Sequence, residues 1–442
     1  MRARSALPVL FLSAFSAAFV TACGNGDDRV VTADASTSDG AGGDGAKGEG
    51  GSTDGSVSDG DAATTPAADA AQSTLKHIFY IMMENHGYAE IIRDVGAGDA
   101  GGDDAATSDG GDAGPAAPYI DSLANQYGLA QNYYGVTHPS LPNYLAAVSG
   151  DFQGIWDDCA AGPNVTCAPE EFIPNSGDST SMQLMTPAQA ANATILPHWF
   201  AGRNIVDQLE EHGLTWTAYM QSIAGVGDTS EYWPYDTVDG GEAGITRVPR
   251  KLYAQKHDPF MYFADIRTNS NRMQRIVPFS QFAADIAGTD VPNFVWISPD
   301  QCNDMHGVSA DNATALGNPA CGGTDSQVIG LGDAFLQTTV PMIMASPAWS
   351  EGSAIVIVWD EDDYSGTSGC CKSPTGVDGG VLGGAQVPAI VISSKVSGHQ
   401  TATVAYNHYS LLATIQRIWG FDCLANTCGM TSADLMTQLF VP

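Results

Sequence analysis

Five short apolar runs constrain this chain most: residues 77–83, 214–220, 293–298, 353–359 and 387–393. In each, apolar side chains succeed one another almost without a break. That is the pattern of a strand covered on both faces. Helix-like stretches at 204–212, 326–340 and 407–419 fall between or after them. Strands alternating with helices predict an α/β domain with a mostly parallel central sheet and helices on both of its faces.

In such sheets, ligands bind outside the carboxyl ends of the strands, so the residues just after each run matter. The first run ends in Glu84-Asn85 and the run at 353–359 in Asp360-Glu361. The run at 293–298 ends in Pro299-Asp300, with Asn303-Asp304-Met305-His306-Gly307 close behind. Each group alone suits a solvated loop. Three such endings deliver carboxylates, an amide and a histidine to one edge, which suits a site. Clustered carboxylates raise one another's pKa unless a cation lies among them, and oxygen ligands suit a hard divalent ion.

The segment THPSLPNYLAAVSGD, at 137–151, places Leu141, Tyr144, Leu145 and Val148 on one face of a predicted helix. Pro142 falls in the first turn, where its missing N–H breaks no bond. Ser140 sits at or just before the helix start. From these residues two readings stay open. Ser140 is an N-cap, or it is a nucleophile held over exposed N–H groups that attract an anion.

The formal net charge of −33 argues against nucleic-acid binding through a basic groove. Residues 24–74 carry ten Asp or Glu against Arg29 and Lys47, and residues 94–114 carry six Asp with no basic residue. Both segments have almost no large apolar side chains and are expected to be disordered, as an acidic linker over 23–74 and an insertion over 94–117 within a domain at 75–442. Upstream, Arg2 and Arg4 precede an apolar run from Ala6 to Val20 that ends in Val20-Thr21-Ala22-Cys23. The run is shorter than the roughly 20 residues of a membrane span. It predicts a signal peptide over 1–22, and its end resembles a bacterial lipobox with Cys23 as the lipidated residue. The expected location is the cell envelope of a Gram-negative bacterium, in the outer membrane or periplasm, with a membrane contact through the lipid and a monomeric chain. The other eight cysteines suit disulfides in an oxidising compartment. Proximity favours 159–167 and 423–428, with 302–321 plausible. Cys370 and Cys371 either pair with each other or hold a metal.

Four stretches then resemble, in order, the motifs of the phosphoesterase family. They are His77-Ile-Phe-Tyr-Ile-Met-Met-Glu84-Asn85, Thr137-His138-Pro139-Ser140-Leu-Pro-Asn143-Tyr144, Asn303-Asp304-Met305-His306-Gly307 and Trp359-Asp360-Glu361. That family holds bacterial and fungal acid phosphatases and bacterial phospholipases C, within the alkaline phosphatase superfamily. The resemblance spans about residues 76–420 and implies an alkaline-phosphatase-like three-layer fold. It implies a divalent metal, as one or two ions, with Glu84, Asn85, Asp360, Glu361 and Asp300 as candidate ligands. Ser140 would be the nucleophile, with His306 and His138 as further catalytic candidates. Asn143, His257, Asp304 and His408 are candidates for binding substrate. His77, His86, His198, His212 and His399 receive no role.

The implied activity is a metal-dependent acid phosphatase acting on small phosphate monoesters through a phosphoserine. A phospholipase C or other phosphodiesterase is the alternative, as is a catalytically inactive surface lipoprotein. Protonated His138, His257 and His306, with Lys256, would supply the positive charge a monoester needs, so activity is expected to be better at mildly acidic pH. One departure stands out. Many family members carry a histidine shortly after Asp-Glu, and residues 364–372 here contain none.

Overall fold

The computed structural model describes residues 75–93, 117–170, 184–239 and 245–442. The expected signal peptide, Cys23, the acidic linker and the insertion up to residue 116 lie outside the described residues. Every described residue falls within one compact unit, Thr65–Pro442.

The described residues form eleven strands. In chain order they are β1 (His77–Met83), β2 (Gly128–Tyr134), β3 (Trp216–Met220), β4 (Tyr232–Asp239), β5 (Ile245–Ala254), β6 (Ile276–Pro278), β7 (Phe294–Ser298), β8 (Ser353–Trp359), β9 (Gln386–Val387), β10 (Ala389–Ser393) and β11 (Gln400–Asn407). Nine of them form one sheet in the order β11-β2-β10-β8-β1-β7-β3-β6, with β9 also pairing with β2. The centre of the sheet, β8-β1-β7-β3, is parallel throughout, while β10 runs antiparallel to both β8 and β2. β4 and β5 make a separate hairpin.

The apolar runs at 77–83 and 353–359 become β1 and β8 without change, and every residue of both is buried. The run at 387–393 divides at Pro388. A proline cannot donate to a ladder, so β9 and β10 flank it; both pair with β2, and β10 alone also pairs with β8.

Side chains alternate across a strand, and β1 uses both faces. Phe79 meets Phe282 edge-on at 6.5 Å, and Phe279 in turn packs on Phe335 of the helix Asp325–Met344. Tyr80, on the other face, stacks on Trp296 at 4.6 Å, and Trp296 meets Tyr144 of the helix Ser140–Ser149. Helices therefore cover both faces, as expected from the apolar runs.

The helix Ser140–Ser149 differs from its expected form. All ten residues are buried, so it has no solvent face. Its small residues, Ala146, Ala147 and Ser149, allow the helix His408–Trp419 to pack beside it. At its end Gly150, at φ 73°, supplies the left-handed turn.

Candidate functional site

Because β8, β1 and β7 are parallel neighbours, their carboxyl ends open on the same edge of the sheet. The register pairs Met83 with Trp359, so the next residues, Glu84 and Asp360, emerge side by side. Backbone bonds hold them there: Asp360 N donates to Met83 O at 3.1 Å, and Glu84 N to Asp304 O at 2.8 Å. Gly135 lets the loop after β2 approach this edge. A Cβ at Gly135 would stand 2.7 Å from the Asp360 carbonyl, so a larger residue there has no room.

That loop leads into Ser140. Its hydroxyl lies 2.9 Å from Glu84 Oε2 and 3.1 Å from Glu361 Oε1, two acceptors for its one proton, and it accepts from Lys256 Nζ at 3.2 Å. Lys256 also pairs with Asp158 Oδ2 at 2.7 Å and lies 3.5 Å from His306 Nε2. The other Asp158 oxygen accepts from Leu141 N at 2.9 Å. Asp158 thus ties Lys256 to the first turn of the Ser140 helix.

Behind Ser140, His257 Nε2 lies 3.1 Å from Glu84 Oε1, and its Nδ1 lies 3.2 Å from Asp304 Oδ2. Glu84 Oε1, Asp304 Oδ2, Asp360 Oδ2 and His257 Nε2 are all buried, and none makes an aligned hydrogen bond, the His257 contacts included. The Tyr144 hydroxyl is close enough to Glu84 to lower its pKa, but it is not in hydrogen-bond geometry. Buried polar groups of this kind are costly unless something satisfies them.

The electrostatics agree. Burial pushes the Glu84 carboxyl up to about 7, against the pull of the Lys256 ammonium. Asp304 and Asp360 are raised well above the carboxylate range by burial and then by the charge of Glu84. Glu361 is raised by burial and then by Asp158 and Glu84. Burial opposes the charge on Lys256, but Asp158 and Glu84 outweigh it and hold the ammonium above its ordinary value.

The sequence-derived candidates divide under this geometry. Glu84, Ser140, Asp304, His306, Asp360, Glu361 and His257 come together, with Asn85 beside them, its N–H donating to Asp360 Oδ1 at 3.3 Å. Asn143 does not face the cluster with a free group. Its oxygen accepts from Val136 N and Thr137 N, and its amide donates to Thr137 O and Pro139 O, so it holds the loop in shape. His408 donates to or accepts from Tyr133 OH and contacts the Asp360 carbonyl at 2.8 Å, which places it behind the strand end. Asp300 accepts from Ser222, Cys302 N and Asn303 N and so organises its own turn. His138 contacts Glu361 Oε2 through Nδ1 and the Gly366 carbonyl through Nε2, so it reaches Ser140 only through Glu361.

The surroundings of the three histidines work against the protonation expected of them. Burial lowers His138. Burial and the Lys256 charge push His257 well down and His306 to about 4. The positive charge of the site is Lys256. Where a histidine was missing after Asp360-Glu361, Tyr364 stacks on His138 at 4.6 Å.

A model of the phosphoesterase family matches residues 110–317 and 322–422. The chain belongs to that family. An acid phosphatase of Aspergillus fumigatus is 25% identical over 317 residues, 72% of this chain and 54% of that protein. A probable acid phosphatase of Kluyveromyces lactis is 23% identical over 362 residues, 82% of this chain and 62% of that one. This chain thus spans between half and two thirds of the length of those two fungal relatives. A phosphatidylinositol-3-phosphatase of Mycobacterium tuberculosis is 24% identical over 374 residues, 84% of this chain and 85% of its own length. Among solved structures, a protein in the alkaline phosphatase superfamily from Vibrio parahaemolyticus aligns with a TM-score of 0.38 at 13% identity, over 83% of this chain and 69% of that one.

One feature of this phosphoesterase-family chain escaped the sequence. Asp158 had no motif to mark it; its only local signal is its place beside Cys159. It directly precedes the ring closed by the Cys159–Cys167 disulfide, and its other neighbour is anchored by the buried pair of Asp157 Oδ1 and His198 Nε2 at 2.7 Å. The His306 loop is closed in the same way by Cys302–Cys321. Cys423–Cys428 forms as expected, and Cys370 pairs with Cys371, which resolves the alternative left open for them. Among the described residues, one group of three His, Cys, Asp or Glu ligand atoms lies within 4.8 Å of one another: Asp157, Cys159 and Cys167. Its cysteines are tied in the disulfide, so it offers no thiolate. None of the described helices is long and apolar enough to cross a membrane.

Proposed function

We propose that this chain is a metal-dependent phosphomonoesterase that works through a phosphoserine on Ser140. The observation that carries the reading is the placement of Ser140 Oγ. It lies at a helix start, within hydrogen-bond reach of two carboxylates and one ammonium.

A divalent ion fits the donor set. Glu84, Asp360, Asp304 and His257 would hold it, since their partnerless atoms are hard oxygens and an imidazole nitrogen. Asn85 and Glu361 border the set. When bound, such an ion stabilises charge on phosphoryl oxygens and lowers the pKa of an attached hydroxyl.

The chain's own residues do the rest. A serine hydroxyl is a weak nucleophile until its proton is taken, and either Glu84 or Glu361 is within reach to accept that of Ser140. His138 braces Glu361 from behind. Lys256 faces the charge that develops as Oγ bonds to phosphorus and the ester oxygen departs, which is the placement that electrostatic stabilisation requires. Water would then cleave the phosphoserine and release phosphate. Cys23 as a lipid anchor belongs to the same proposal, resting on Val20-Thr21-Ala22-Cys23, and mass spectrometry of the mature protein tests it.

The deciding experiment compares kcat/KM for p-nitrophenyl phosphate, bis(p-nitrophenyl) phosphate and phosphatidylcholine vesicles across pH 5–8. The monoester should be the best substrate. A higher value for the diester or the vesicles would replace this reading with a phosphodiesterase or a phospholipase C.

A further inference from the structure

A cleft of about 510 Å³ opens outward from Lys256 and His306. It is too large for phosphate alone and has room for the alcohol that carries it. The hairpin β4–β5 supplies one wall through Tyr232 and Lys251, and the loop after His306 supplies another through Ser309 and Asn312.

The hairpin is irregular where it meets the cleft. Trp233 pairs with Tyr253, but the next pair is Tyr235 with Pro249. One residue, Pro234, therefore faces three, 250–252. Lys251 at the centre of this bulge has φ +56°, a left-handed backbone that a lysine adopts only when its surroundings impose it. Gln301 imposes it. Its side-chain amide donates to the Lys251 carbonyl and its N–H donates to the Leu252 carbonyl at 2.9 Å. Bulges re-aim a side chain, often beside active sites. Here the result is an exposed Lys251 ammonium 4.5 Å from the centroid of the Tyr232 ring, on the cleft.

Asp158 and Glu170 also line the cleft, but neither pairs with Lys251. The neighbouring Arg250 pairs with Asp236, and Lys256 on the floor pairs with Asp158. Among the described residues no carboxylate lies within ion-pair distance of Lys251. A ring face attracts an ammonium without cancelling its charge, so the other side of Lys251 remains able to bind an anion. In a chain of net charge −33, such a cation focuses anionic ligands locally against the general repulsion.

We propose that Lys251, held on Tyr232, is a second anion subsite, and that the preferred substrates are phosphomonoesters whose alcohol carries a further anionic group. The scissile phosphate lies at Ser140 and Lys256, and the second phosphate or carboxylate lies at Lys251. This rests on the phosphomonoesterase reading above and names the substrate class it takes.

Glucitol 6-phosphate and 6-phosphogluconate are a matched pair of open chains, since the second carries a carboxylate at the far end where the first carries a hydroxymethyl group. The measurement is the ratio of their kcat/KM values. In the wild type the acid should be favoured roughly fivefold, the scale of one exposed ion pair, and the preference should shrink with added salt. Lys251→Gln should bring the ratio close to one, and Lys251→Arg should restore it. A parallel arm offers a phosphorylated inositol lipid in phosphatidylcholine vesicles. If that lipid shows the greater dependence on Lys251, the second anion belongs to a lipid headgroup rather than a soluble compound. A ratio that Lys251→Gln leaves unchanged in both arms overturns the subsite. Hydrolysis of p-nitrophenyl phosphate separates the two readings: if the wild type does not cleave it, the phosphatase reading fails, and if it does, only the subsite is at stake.

Discussion

On one side of Ser140 stand Glu84, Asp360 and Asp304, fully buried and delivered by strand ends and the turn after β7. On the other stand Lys256 and Asp158, partly exposed and delivered by loops. The first side carries unsatisfied oxygens and raised carboxyl pKa values. The second is a satisfied ion pair tied to the helix start. A sheet edge can hold like charges together because the strands fix their positions. A loop must be fixed by something else, and here that is a disulfide and a buried histidine. The sheet side is thus suited to a cation that arrives from outside, and the loop side supplies its own.

The largest expected effects test that division at its centre. Ser140→Ala should lower turnover more than about a thousandfold while leaving metal content and fold intact. Glu84→Ala and Asp360→Ala should lose bound metal and activity together, as read by elemental analysis and p-nitrophenyl phosphate turnover. Wild-type metal content in both carboxylate variants would break the comparison.

Next in size is the loop side. Lys256→Met should cost roughly a hundredfold in kcat/KM, the scale of one lost transition-state donor. Asp158→Asn should cost about tenfold, because it acts by positioning Lys256. Neither should release metal. Metal loss in the Asp158 variant would show that the two sides are not separate.

A smaller effect is expected when the loop is loosened. Replacing both Cys159 and Cys167 by serine should cost about 2–3 kcal/mol of stability for so short a closed loop, measured by denaturant unfolding. It should also lower kcat/KM in the direction of Asp158→Asn, with metal content unchanged.

The smallest effect is pH-dependent. Burial opposes the charge on His198, but its bond to Asp157 prevails and raises its pKa above the ordinary value of about 6.5. A group whose folded pKa is raised stabilises fully below its unfolded pKa, and the contribution fades as pH rises through the folded pKa. His198→Gln should therefore lower Tm more at pH 5.5 than at pH 8.5. An equal loss at both values would assign His198 a packing role alone.

The uneven legibility of the site has the same origin as its two-sided build. Apolar runs at 77–83 and 353–359 announce buried strands because a strand covered on both faces can contain little else. Their last residues then fall on one edge by the rule for parallel sheets, so Glu84 and Asp360 are readable from sequence, as is the α/β class. Helix spacing places Ser140 at a helix start, but not the burial of all ten residues, which depends on which helices pack on it. Motif membership marks Asn143 and His408 as candidates for binding substrate. It cannot show that their polar atoms are consumed by the backbone around Val136 and Asp360.

Lys256 and Asp158 lie 98 residues apart, and no periodicity relates two loops. Their pairing exists only once the sheet brings both loops to the Ser140 helix. The same holds for Lys251, whose left-handed backbone depends on Gln301 from another loop. Local pattern determines strands, helices and what ends them, because those depend on neighbours in sequence. Protonation states and the meeting of loops depend on burial and on distances between remote segments, and these are properties of the packed molecule.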